Sequence, residues 1–179
     1  MDHKRNKFHR FMFSIRFSIF SITGFLFFLS GLTALVYQII WMRQLSLFFG
    51  SDIYAAAITL GTFMAGLSLG SYISGSLGDN LKKPILIYGI LEIFIALCAL
   101  LFPLIIFGMD ETFRFIYQNY FFDQPLIYHL SRLLISIFTL LVPSIFMGAT
   151  LPLLIRQFAK KKIELGERVG FFYSINTLG

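Results

Sequence analysis

Charge is missing from long intervals of this chain, and those intervals set its organisation. No Asp, Glu, Lys or Arg occurs between Arg16 and Arg43, or between Asp52 and Asp79. Each interval exceeds the roughly 20 apolar residues that a helix needs to cross the hydrocarbon of a bilayer. Further apolar runs open at Pro84 and near Leu126. The pattern predicts four spans, over about 17–42, 53–78, 84–108 and 126–155. The fourth run passes Pro143 and Pro152, and as one helix it would extend about 45 Å. A kink or a break is expected there. A fifth apolar segment, GFFYSINTLG, opens at Gly170 and reads as the start of a further span. The expected fold class is therefore all-α: a polytopic membrane helix bundle with four full transmembrane helices and the start of a fifth.

The stretch between the third and fourth runs is patterned too. Phe113, Ile116, Tyr117, Tyr120 and Phe121 recur at helical spacing, opposite Arg114, Gln118 and Asn119. With Asp110 placed to cap its start, this predicts a short helix over about 110–122, lying in the interface or covering the bundle.

Composition agrees with a membrane chain. Of the 179 residues 57% are hydrophobic and 13% charged, and 23 are phenylalanine. A soluble fold of this size would be left with large adhesive apolar patches. The start, MDHKRNKFHR before an apolar run, resembles a signal peptide, but the run is too long and no A-x-A-like cleavage site follows. An uncleaved first span is expected, behind a basic arm at 1–16.

Basic residues divide unevenly between the two sides. Lys4, Arg5, Lys7, Arg10 and Arg16 precede the first span, Lys82 and Lys83 follow the second, and Arg156, Lys160, Lys161, Lys162 and Arg168 follow the fourth. Only Arg43 and Arg114 fall on the opposite side. The positive-inside rule then puts both termini, including the basic segment at 159–179, in the cytoplasm. Tyr37, Trp41, Tyr54 and Tyr88 sit where interfacial rings are expected. The net charge of +6 is dispersed at span ends, so the expected partner is the lipid bilayer and not nucleic acid.

Small residues mark a packing face. Thr62, Gly66, Gly70, Ser74 and Gly78 recur every four positions, which lets a neighbouring backbone approach closely. The same region is no phosphate loop: Gly70 and Gly75 have the spacing, but Ser76 stands where the lysine must be. The helix is expected to end there in a tight turn carrying Asp79, Lys82 and Lys83, with Pro84 in the first turn of the next helix.

Polar groups inside the spans are the candidates for function. Glu92 lies about 12 Å into the third span and Arg132 about 9 Å into the fourth from the other side, depths that differ by about 9 Å. Arg132 is expected to snorkel to headgroups. Glu92 needs protonation, a polar partner or a cavity. Gln38 seeks a partner across helices. Glu92, Gln38 and Arg132 are the candidate substrate-binding residues. His3, His9 and His129 are scattered and Cys98 is the single cysteine, so no metal site, disulfide or cofactor is expected. No nucleophile stands beside a base, and no catalytic residue is assigned.

Two resemblances follow from these stretches. GSLGDNLKKP resembles the loop between the second and third helices of major facilitator superfamily transporters. Gly75 and Asp79 match, Lys82 and Lys83 supply charge, and Asn80 replaces the usual base. More widely, SGLTALVYQIIWMRQLSLFFGSDIYA (30–55), FMAGLSLGSYISGSLGD (63–79), PSIFMGATLPLL (143–154) and GERVGFFYSINTLG (166–179) are similar to the membrane modules of bacterial spermidine-synthase-like proteins. That resemblance implies an inner-membrane module partnered, in cis or in trans, by a soluble aminopropyltransferase-like domain of Rossmann type. It assigns no catalytic residue here. A fragment of a facilitator-type transporter, or a non-catalytic structural membrane subunit, stands as the alternative.

Overall fold

The computed structural model describes residues 2–77, 81–118, 125–158 and 162–179. Gly78 and Asp79, expected at the helix end and in the turn, lie outside them. Five helices account for nearly all of the described backbone: α1 (Asp2–Phe49), α2 (Asp52–Leu77), α3 (Pro84–Ile116), α4 (Pro125–Phe158) and α5 (Lys162–Leu178). Among the described residues there is no strand. Four segments are long and apolar enough to cross a membrane: Ser18–Phe49, Asp52–Ser76, Pro84–Phe115 and Leu126–Phe158. Side chains such as Leu100 and Phe107, at 74% and 72% exposure, would be untenable in water at this density and are at home in lipid. The chain is a multi-pass membrane helix bundle.

Helix ends differ from the apolar boundaries. α1 continues past Met42 and the exposed Arg43 to Phe49. It stops at Gly50, whose φ of 70° suits glycine and whose N–H donates to the Ser46 carbonyl at 2.8 Å. The Ser46 hydroxyl donates to the Asp52 carboxylate across this two-residue turn. Arg43 marks where the charge-free interval ends, but one exposed cation does not end a helix.

The separate helix expected over 110–122 is not formed as such. α3 runs without interruption from Pro84 through Asp110 to Ile116, and residues 119–122 lie outside the described set. Nothing in FGMDETF breaks the backbone, so Asp110 is an interior position and not a cap. Its 33 residues extend about 50 Å, well beyond the ~30 Å of hydrocarbon. At the other end Pro84 occupies the first turn, as expected, preceded by the exposed Lys82 and Lys83. α4 likewise is one helix with Pro143 and Pro152 inside it, so no break occurs at either proline.

The chain forms two compact units, residues 1–33 with 158–179, and residues 34–157. The core of the second unit gathers Trp41, Leu45 and Phe48 of α1, Phe63 of α2, Phe102, Ile106 and Phe113 of α3, and Leu140 and Met147 of α4. Trp41 is 1% exposed, with its ring 5.4 Å from that of Phe102. It is a core side chain and not the interfacial anchor expected from its position near the end of the apolar run.

The small-residue stripe forms the seam between α2 and α4, which run in the same direction. A Cβ added at Gly66 would lie 2.3 Å from that of Ser144, and one at Gly70 only 1.9 Å from the Ile145 carbonyl oxygen. Gly148 answers from the other side, where a Cβ would meet the Leu67 carbonyl at 2.3 Å. The Ser74 hydroxyl donates across the seam to the Ala149 carbonyl at 3.0 Å. These glycines are required for the approach itself, the condition under which membrane helices bind by dispersion contact alone.

In the first unit α5 lies along α1. Phe20 of α1 packs with Phe158, Phe171 and Phe172, and Phe172 is fully buried. Farther along, Gly31 leaves room for the Asn176 carbonyl, 2.2 Å from where a Cβ would stand, and Gly179 does the same for that of Phe28.

Candidate functional site

The three polar residues expected inside the spans all belong to the unit 34–157, but they do not converge. Gln38 is half-buried on α1, one turn before Trp41. Glu92 is half-buried on α3, one turn after the buried Tyr88, with its carboxylate in electrostatic contact with the phenol. Arg132 is on α4 beside the end of α1. The Phe94 ring meets Phe146 at 5.8 Å, which fixes the register of α3 on α4. Phe146 is 14 residues, or about 21 Å, along α4 from Arg132. Glu92, two residues before Phe94 on the antiparallel α3, therefore stands about 24 Å from Arg132 along the helix axes, about four-fifths of a bilayer core and more than the 9 Å expected from span depths alone.

Arg132 is the best-defined polar group. Its guanidinium lies over the Phe48 ring at 3.9 Å from the centroid, with Tyr128 at 5.2 Å and Phe49 at 5.5 Å. Nη1 donates to the Tyr128 hydroxyl at 3.2 Å. The expected snorkelling is modified: the side chain is held among rings of α1 and α4 inside the unit. Cation–π contact of this kind contributes about 2 kcal/mol where water is excluded, and it leaves the in-plane N–H groups free for other acceptors. Nε is buried and, among the described residues, has no hydrogen-bond partner. One turn further on the same face, Ser136 is 0% exposed and its hydroxyl also lacks a partner.

Phe113 of α3 completes the layer, edge-on to both Phe48 (6.1 Å) and Tyr128 (6.0 Å). Tyr128 was within reach of the sequence, four residues before Arg132 on one helical face. Phe48, Phe49 and Phe113 were not, because nothing local relates them to Arg132. Tyr88, also one turn from its partner Glu92, was legible by the same rule.

The remaining assignments fall on the seam and the turn. Gly66, Gly70 and Ser74 pack against α4, and Lys82 and Lys83 are exposed in the turn. Gly75 is inside α2, where an added Cβ would meet nothing within 4 Å among the described residues. Among the described residues no three His, Cys, Asp or Glu side chains are grouped to hold a metal ion.

No protein-family model matches this chain, and neither a curated protein nor a solved structure does.

Proposed function

We propose that the chain is the membrane-spanning module of a spermidine-synthase-like protein, set in the inner membrane with both termini cytoplasmic. It anchors an aminopropyltransferase-like domain, in cis or in trans, and offers that domain a cationic, polyamine-type substrate. One observation carries this reading: the resembling stretches coincide with the helix seams. Stretches 63–79 and 143–154 supply the two sides of the α2–α4 contact, and 30–55 and 166–179 supply Gly31, Asn176 and Gly179. Apolar lipid-facing residues look alike in any span. A resemblance that falls on the residues deciding which helices touch carries more information.

Glu92 with Tyr88 is the group suited to an alkylammonium, a carboxylate beside an aromatic ring at membrane depth. The test is binding of radiolabelled spermidine to the purified chain in detergent. Saturable binding, lost in Glu92→Gln, is expected. Equal binding by the variant removes Glu92 from the role. The coding sequence after Gly179 and its neighbouring genes should also contain a nucleoside-binding domain, and a carrier-like array of further spans with no such domain would overturn the anchoring role.

The same half-buried Glu92 favours a second reading, a facilitator-type carrier with the carboxylate on the pathway. Vesicles bearing the full-length protein would then take up spermidine, and Glu92→Gln would abolish uptake.

A further inference from the structure

The geometry points to a phospholipid site at the end of the 34–157 unit where α1 meets α2 and Phe113 of α3 packs beside Tyr128 of α4, with a phosphate on Arg132 and an acyl chain in the groove between α3 and α4. A guanidinium has five N–H donors. Among the described residues its one hydrogen bond is from Nη1 to Tyr128, Nε is buried without a partner, and no carboxylate pairs with it. Where the rings exclude water, each donor left unmade costs free energy comparable to a lost hydrogen bond. The rings of Phe48, Phe49 and Tyr128 hold the face of the guanidinium, so its edge is what remains to be satisfied. That planar fork matches a phosphate, which takes two parallel N–H bonds.

The second observation is independent of charge. A groove of about 520 Å³ runs beside this cage, lined by Leu104, Gly108, Thr112 and Phe113 of α3 and by Ser131 and Ile135 of α4. Its size is that of a small-molecule site, and its lining is apolar apart from two hydroxyl-bearing residues. Ser131 adjoins Arg132, and Phe113 is a wall of both the groove and the cage. Gly108 is a lining residue at which a Cβ would meet nothing within 4 Å among the described residues, so a larger side chain has room there. Exposed Leu104 and Ile135 place the groove mouth among lipid tails. A phospholipid is the one partner in that environment that brings an anion and a hydrocarbon chain joined together. Charge complementarity selects its phosphate end, and the groove takes its tail.

Native mass spectrometry of the full chain in detergent, titrated with phosphatidylglycerol, tests this. One lipid per chain should be retained. Arg132→Gln should weaken retention about tenfold or more, the loss expected for a charge-assisted hydrogen-bonded contact. Gly108→Leu, which fills the groove and leaves Arg132 in place, should weaken it too, and it carries the test if Arg132→Gln does not fold. Inorganic phosphate at the same concentration should not displace the lipid. Wild-type retention by a folded Arg132→Gln variant would overturn the proposal. So would displacement by inorganic phosphate together with unchanged binding by Gly108→Leu, since the site would then take an anion alone.

Discussion

The α2–α4 seam and the α1–α5 contact bring backbones equally close, by different means. Along α2–α4, small residues recur every four positions, and both helices contribute: Gly66 and Gly70 from one, Ser144, Gly148 and Ala149 from the other. The contact persists for about two turns and is secured by the Ser74 hydroxyl. Along α1–α5, close approach is confined to Gly31 and Gly179, and elsewhere phenylalanines fill the space; at Gly24 a Cβ would find ordinary contact, 3.6 Å from the Phe171 ring. One seam is set by repetition and the other by a single point of close approach backed by rings. The first has no way to yield, because each glycine faces backbone of a helix interior. The second has one, because Asn176 lies in the last turn of α5.

That difference orders the substitutions. Gly70→Ala should be the most damaging, at about 3 kcal/mol, since its Cβ would overlap the Ile145 carbonyl and neither helix can shift without disturbing the next contact. The thermal midpoint of the detergent-solubilised chain, followed by size-exclusion chromatography after heating, reads this directly. Gly31→Ala should cost less, about 1–2 kcal/mol, because the end of α5 can move aside; faster proteolysis within α5 is the expected sign, and a drop as large as that of Gly70→Ala would erase the distinction. Ser74→Ala removes one interhelical hydrogen bond and should cost about 0.6 kcal/mol, the usual value between membrane helices. Gly75→Ala is the smallest, neutral or stabilising by up to about 1 kcal/mol through helix propensity, because its neighbourhood is empty. A large loss there would show that Gly75 has a partner of the kind the facilitator loop resemblance implies.

The regular seam was legible in the sequence and the single crossing was not. Thr62, Gly66, Gly70 and Ser74 announce themselves by period, whereas Gly31 and Gly179 are isolated small residues 148 positions apart. Spans were legible for a related reason: hydrocarbon excludes charge, so charge-free length is a direct physical readout. The C-terminal ends of α1 and α3 were not, because charge marks the hydrocarbon boundary while the backbone stops only where something stops it. Gly50 does so for α1, eight residues past Met42, and nothing does so at Asp110 in α3. Arg132 shows the same division. Its presence in a span was plain from sequence, and its pairing with Tyr128 follows helical spacing. Its seat on Phe48 is a long-range contact that only packing creates.

α2 and α4 meet along the stripe that includes Ser74. Oxidative cross-linking in native membranes, with Cys98→Ala as background, measures this most directly. A Ser74→Cys, Ala149→Cys pair should close into an intramolecular disulfide that shifts the band on a non-reducing gel, while Gly75→Cys with Ala149→Cys should not. Equal cross-linking by both pairs, or by the Gly75 pair alone, would contradict the seam and with it the packing argument for what this membrane module is.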